Sequence, residues 1–375
     1  MTEVVARSQV VICAGPGGAG KTTCAAAIAL EGARQGRRVC VVTIDPAKRL
    51  ADALGLESLT NDARPVAVPG LGSESGSGSG WRSGSGQLWA LMLDTKSTFD
   101  EVVRANALSP DQAQAILDNK LYRNISSALG GTQEYMAMEK LYALHSSGQF
   151  DLLVVDTPPS RHALDFLDAP SRLLRFLNNR IFLLLMAPTR ASLRAIGMAT
   201  QVFVRTLSKV VGGAVVSDTI DFFATFEGME QGFRDRAAAV DRLLVDPATA
   251  FVLVAAPRRE AVAEAVYFAD RLHASGGRVR ALVANRMFPS FGPVPAPLAA
   301  ASAAPNAAAT VMALAHNMAD FDRVASREEA CLTELVDRLA DAPVVRVPFL
   351  ATDVHDITGL EQIGQWLFGR DVVGP

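Results

Sequence analysis

The chain has 375 residues, room for one to three domains, and 49% of them are hydrophobic, ample material for a large buried core. Its 36 Lys and Arg against 39 Asp and Glu leave a net charge of -3. That balance gives no electrostatic case for gripping a nucleic-acid backbone, which needs a concentrated basic surface, so no nucleic-acid partner is expected.

In chain order, Val10 to Cys13 reads as an apolar strand, followed by a Gly-rich turn and an alanine-rich helix from Lys21 to about Arg34. Gly36-Arg37 ends that helix, and Arg38 to Ile44 reads as a second buried strand. Strand, helix and strand in so short a stretch form a βαβ unit and imply parallel pairing. Further strands are predicted at Leu88 to Leu93, Leu152 to Val155, Phe251 to Ala255, Val279 to Ala284 and Val344 to Val347. Uninterrupted apolar runs such as LLVV and FVLVAA suit strands covered on both faces. The expected fold is a doubly wound, mostly parallel α/β sheet.

Two stretches break the pattern. Residues 70–86, GLGSESGSGSGWRSGSG, cannot bury a core and are expected to behave as flexible, disordered chain. Residues 170–245 read as an inserted helical subdomain, with Arg190, Arg194, Arg205 and Lys209 on one helical face and Leu193, Ile196, Phe203, Leu207 and Val210 on the other. The expected organisation is a core of residues 1–169 and 246–375 interrupted by that subdomain.

The segment Gly15-Pro16-Gly17-Gly18-Ala19-Gly20-Lys21-Thr22 fits GxxxxGK[ST], a phosphate-binding loop that follows a strand and opens a helix. Glycines let successive backbone N–H groups turn inward, and the helix directs its positive end at the phosphates. Residues Gly17, Gly18, Ala19, Gly20, Lys21, Thr22 and Thr23 are thus the expected nucleotide binders. Lys21 would reach the β/γ-phosphates, and the Thr22 hydroxyl would ligate Mg²⁺.

Ligands of parallel sheets lie beyond the carboxyl ends of the strands, which places Asp45 of TIDPAKRL and Asp156 of DLLVVDTPPSRHA at the phosphates. Asp45 is read as the carboxylate that orients or deprotonates the attacking water and borders the metal. Asp156 completes the magnesium shell. Lys48, Arg49, Pro158, Arg161 and His162 lie in two loops placed to sense the γ-phosphate. Asn285-Arg286-Met287-Phe288 lacks the Asp of the guanine-reading NKxD motif, so adenine is expected, with Asn285 and the loop at Pro348 against the ring. A single phosphate loop means that a two-site enzyme must be built from two chains.

The opening sequence has no secretory pattern, and the longest strongly apolar run, Ile181 to Ala187, is too short for a bilayer. Cys13, Cys24, Cys40 and Cys331 form no CxxC pair, and three of them fall in predicted strands or a helix, so a reduced, cytoplasmic protein is expected. Leu360 to Phe368 lacks the basic residues of a membrane-surface helix, which counts against a membrane-positioning role but leaves peripheral association open.

Taken in order, GPGGAGKTT, TIDPAKRLADAL, DLLVVDTPPSRHALDFL, ANRMF and VPFL resemble the arsenite-pump and tail-anchored-protein-targeting ATPases across most of the chain. The resemblance implies a dimeric, Mg²⁺-dependent ATPase in which hydrolysis opens and closes helical subdomains that hold a client. In it, Asp45 matches the water-polarising residue, Asp156 the second acid, Asn285 the adenine contact, and His162 a histidine of the second switch. Three departures stand out. Pro16 occupies the place of a lysine that reaches across the dimer, no CxxC is present to bind zinc, and the cysteines are too scattered for arsenite. The missing cation leaves three readings: a related partner subunit that carries it, a substitute among Lys48, Arg49 and Arg161, or an ATP-binding regulatory subunit with weak hydrolysis. The partner is then a second copy or a related ATPase, with a protein or membrane-protein client.

Overall fold

The computed structural model describes residues 1–45, 48–71, 86–119, 122, 132–158, 167–172, 174–175, 228–291, 308–339 and 341–369. Its strands are β1 (Val10–Ala14), β2 (Arg38–Thr43), β3 (Arg64–Pro65), β4 (Gln87–Met92), β5 (Leu152–Asp156), β6 (Thr249–Ala255), β7 (Val279–Met287) and β8 (Val344–Pro348). The helices are α1 (Thr2–Arg7), α2 (Lys21–Arg34), α3 (Arg49–Ala53), α4 (Thr95–Asn106), α5 (Pro110–Asp118), α6 (Thr132–Ser146), α7 (Glu230–Val245), α8 (Arg259–Ala274), α9 (Ala308–Arg338) and α10 (Ile357–Phe368). No described helix is long and apolar enough to cross a membrane.

The strands form one sheet in the order β3-β4-β2-β5-β1-β6-β7-β8. Every pairing is parallel except β3 with β4. The doubly wound, mostly parallel sheet expected from the apolar runs is therefore present, and β1, β5 and β6 are buried along their whole length. The sequence reading did not include β3. It has only two residues, both exposed, and Pro65 withholds an N–H, so it blunts the sheet edge without an apolar signal of its own.

Helix α2 shows why the first βαβ unit needs its alanines. Residues Cys24 to Leu30 are all buried, because α2 is covered on one side by the sheet and on another by α10. Small side chains allow both approaches. Leu360, Ile363 and Leu367 of α10 complete the same core, so the C-terminal apolar stretch is a packing helix. A side chain at Gly32 would come within 2.8 Å of Leu152 Cδ2 on β5, which explains the glycine inside this helix.

Two compact units emerge: residues 1–92, 149–164 and 247–375, which contain the sheet, and residues 93–148 with 165–246. The sequence reading had kept residues 93–148 with the core and confined the helical insertion to 170–245. In the structure the 93–148 segment has its own partners within the helical unit: Val102, Val103, Ile116, Tyr135 and Met136 pack with Phe233 and Ala237 of α7. Glu139 is fully buried there and accepts a 2.6 Å bond from Arg236 Nε and a hydrogen bond from Tyr135 Oη. The basic face proposed at Arg190 to Lys209, and most of the Gly/Ser tract, lie outside the described residues.

Candidate functional site

The site is built where β2, β5 and β1, neighbours in the sheet, end side by side. Residues Gly15–Gly20 run from β1 into α2. Gly15 has φ +149, and a Cβ there would lie 2.0 Å from the Val254 carbonyl oxygen of β6. Only glycine lets the chain turn so close to a neighbouring strand. Gly18 (φ +72) has open space where a side chain would be, and Gly17 and Gly18 are exposed. Gly20 is the N-cap of α2, in the left-handed region at φ 92, and supplies no side-chain cap; no acidic residue stands in the first turn. The N–H groups that open α2 are left facing the loop, the arrangement that receives an anion.

Pro16 contributes in its own way. It has no N–H to offer an anion, and its carbonyl accepts from Lys21 Nζ at 3.0 Å and from Ala19 N at 3.4 Å. Lys21 is thereby drawn across the loop. Burial lowers its pKa, while the negative charges of Asp156 and Asp45 oppose that shift.

Asp156 sits at the end of β5, in register with Thr43 on one side and Cys13 on the other. Its Oδ2 accepts from Thr22 Oγ1 at 2.7 Å and from Thr43 Oγ1 at 3.0 Å. Its Oδ1 is buried with no hydrogen-bond partner among the described residues. Burial dominates and pushes the carboxyl up to about 6 against the two hydroxyl bonds and Lys21. Mg²⁺ fits this donor set: it keeps several of its own waters and is held by one or two protein oxygens. The orphaned carboxylate oxygen beside the Thr22 hydroxyl is such a place, although among the described residues no three His, Cys, Asp or Glu gather to hold a metal.

A folded-state pKa above the ordinary carboxyl value means that this group's contribution to stability is greatest below the unfolded value. It falls as pH rises towards about 6 and is flat beyond. At pH 7 the metal-free chain carries a penalty of about 1–3 kcal/mol. Asp156→Asn is expected to raise the melting temperature of the metal-free chain at pH 7 and to abolish further stabilisation by Mg²⁺ with ATP. Thermal unfolding with and without both ligands measures this, and a lower metal-free melting temperature would count against it.

Asp45 follows β2, its N–H bonded to Thr43 Oγ1 at 3.2 Å, and Arg49 Nη1 stands 3.9 Å from its Oδ2. Thr43 thus links both acids, a role the sequence reading missed. The available signal was a hydroxyl residue closing an apolar strand one position before IDP. Thr157 was missed likewise: its N–H and its hydroxyl both donate to Cys13 O, at 3.3 and 2.8 Å, fixing β5 to the start of the loop.

On the other side of β1, Asn285 of β7 is buried and donates from Nδ2 to Ala19 O at 2.7 Å. A Cβ on Gly20 would lie 2.2 Å from that nitrogen, so Asn285 and Gly20 fit against each other. As placed, Asn285 braces the phosphate loop. Pro348 ends β8 opposite Met287, and the next N–H, of Phe349, donates to Met287 O at 2.7 Å. Asn285 and Pro348 therefore reach the same end of the sheet.

Thr23 is half-buried in the first turn of α2, and Lys48 is exposed at the start of α3. Pro158 is half-buried, its carbonyl accepting from Thr157 Oγ1 at 3.2 Å. Arg161 and His162 lie outside the described residues. Cys13, Cys24 and Cys40 are buried thiols, and burial holds the Cys13 and Cys24 thiols well above their ordinary range, which leaves them unreactive.

The sequence profile of one family, described as anion-transporting ATPase, matches residues 8–293. The chain belongs to that family. Among the family's curated relatives, the uncharacterized Streptomyces coelicolor protein SCO2128 is 30% identical, over 76% of this chain and 64% of its own. The ATPase GET3 of Malassezia globosa is 26% identical over 59% of this chain and 56% of its own. The arsenical pump-driving ATPase of Acidiphilium multivorum is 30% identical over 44% of this chain and 26% of its own. The match therefore spans less than two thirds of the length of these relatives. Within this ATPase family the phosphate loop and both acids of the site fall inside the matched region.

Proposed function

We propose that this anion-transporting-ATPase family member hydrolyses ATP in a Mg²⁺-dependent reaction and works as a dimeric switch that holds a client or partner protein differently in its two states. The observation that supports it most is the meeting of Lys21, Thr22, Asp45 and Asp156 at the ends of three neighbouring strands, all linked through Thr43 and the phosphate loop.

In this reading the loop N–H groups and Lys21 hold the phosphates, with the ammonium set against the charge on the β/γ oxygens. Thr22 and Asp156 would hold a magnesium ion, which would supply positive charge against the transferring group. Asp45 orients the attacking water and takes its proton. Asn285 and Pro348 bound the place of the adenine. The names of the relatives, an ATPase GET3 and an arsenical pump-driving ATPase, support nucleotide hydrolysis. The motif resemblance adds work on a protein or membrane client from the cytoplasm, by a homodimer or a heterodimer with a related subunit.

The test is phosphate release by the purified chain with ATP and GTP, with Mg²⁺ and with excess chelator, beside Lys21→Ala. Mg²⁺-dependent release from ATP that is lost in Lys21→Ala is the expected result. Tight ATP binding without release would instead make the chain the regulatory subunit of a heterodimer, and no binding would end the proposal.

A further inference from the structure

We propose that Arg49 is the cation that meets the γ-phosphate of bound ATP from the same chain, leaving its resting place on Asp45 as the nucleotide enters. This rests on the ATPase reading above and assigns to a named residue the positive charge that the Gly15–Gly20 loop does not carry.

Arg49 is the first residue of α3, four positions beyond Asp45, and this spacing lets its guanidinium fold back towards the strand end. The contact with Asp45 is loose. At 3.9 Å it exceeds the 2.7–2.9 Å typical of a charge-assisted hydrogen bond, and the Arg49 side chain is 69% exposed. Exposed pairs of this kind contribute little to stability, so little holds the arginine where it rests. It is nevertheless already in the site, beside the Asp45 carboxylate at the end of β2.

The phosphate side of the balance favours a move. A γ-phosphate offers more negative charge than one carboxylate, in a geometry that a planar guanidinium matches with two parallel N–H bonds. Lys21, by contrast, is a compact charge tied to Pro16 O, and Pro16 adds neither a cation nor an N–H. The Asp45–Arg49 pair then has two roles. At rest, the arginine stands beside the Asp45 carboxylate. With ATP present, the arginine shifts to the γ-phosphate and Asp45 faces the water without it.

The water oxygen bonds to the γ-phosphorus while its proton passes to the Asp45 carboxylate. The bond from phosphorus to the β,γ-bridging oxygen breaks, and its electron pair leaves with ADP. The proton on Asp45 returns to solvent after release. Arg49 bears on charge spread over the transferring group, where a cation from a protein side chain is worth about 10³-fold or more in rate.

The experiment compares wild type, Arg49→Ala and Arg49→Lys for kcat, for KM and for ATP affinity by calorimetry, with thermal unfolding to confirm the fold. Arg49→Ala is expected to lower kcat about 10³-fold while ATP affinity changes less than about threefold. Arg49→Lys should recover only a small part, because an ammonium cannot form the paired bonds. Added guanidinium ion should partly restore Arg49→Ala and not Lys21→Ala, a rescue that a purely structural role would not produce. A wild-type chain that hydrolyses ATP, with Arg49→Ala equal to it or refractory to guanidinium, overturns this inference alone. A wild-type chain that neither binds nor hydrolyses ATP overturns the ATPase reading and this inference together.

Discussion

Asp45→Asn is expected to lower ATP turnover by about 10²–10⁴-fold while ATP binding stays within a few-fold of wild type, the range seen when a positioned general base is removed. The substitution keeps the shape of the side chain, and the backbone bond from Asp45 N to Thr43 Oγ1 does not involve the carboxylate. The phosphate loop should remain as it is, because Lys21, Thr22 and Asp156 are held by bonds that do not pass through the Asp45 side chain. The measurement is single-turnover hydrolysis beside an equilibrium binding titration. A variant that turns over at the wild-type rate would remove Asp45 from the chemistry. One that no longer binds ATP would show instead that Asp45 holds the loop together.

Gly15→Ala is expected to cost more stability than any other single change in the loop. The added Cβ would lie 2.0 Å from Val254 O and 3.0 Å from Val254 C, and both are backbone atoms of β6 that have no rotamer to change. The backbone at φ +149 is also one that an L side chain rarely adopts. Overlap of this kind costs about 1–3 kcal/mol and unusual dihedrals a similar amount, so a total of about 2–6 kcal/mol is expected. That is a large share of the roughly 5–15 kcal/mol by which a domain is stable. Gly18→Ala is the internal comparison, since its Cβ meets nothing within 4 Å and only the left-handed backbone is penalised, at about 1–2 kcal/mol. Urea unfolding of both variants measures the difference. Equal losses at the two positions would show that the loop moves away from β6 at little cost.

Much of the site was legible because its chemistry is local. GPGGAGKTT carries its own turn, cap and helix start, and the two acids announce themselves by following apolar runs at strand ends. Thr43 and Thr157 were not legible in this way. Each is one hydroxyl among many, and its meaning arises only when β2, β5 and β1 lie in register, so that Thr43 faces Asp156 and Thr157 reaches Cys13. The motif around Asn285 suggested a base contact, whereas its bond to Ala19 O, across 266 positions of chain, had no local signal.

The helical unit makes the same point at larger scale. Amphipathic segments in residues 93–148 look alike whether they cover a sheet or pack with other helices, and the partner on α7 lies more than ninety positions away. A hydrophobic pattern states that a face must be buried and leaves open against what. By itself, then, the sequence determined the type of each major element, the phosphate loop with its lysine and threonine, and the two acids, because these follow from periodicity and from glycine chemistry within a few residues. Only the tertiary structure decided the order of the strands, the joining of the two helical segments, the loose pairing of Arg49 with Asp45, and the role of Pro16 as acceptor for Lys21. Those depend on which distant surfaces exclude water together and on distances of a few tenths of an ångström, and no local pattern encodes either.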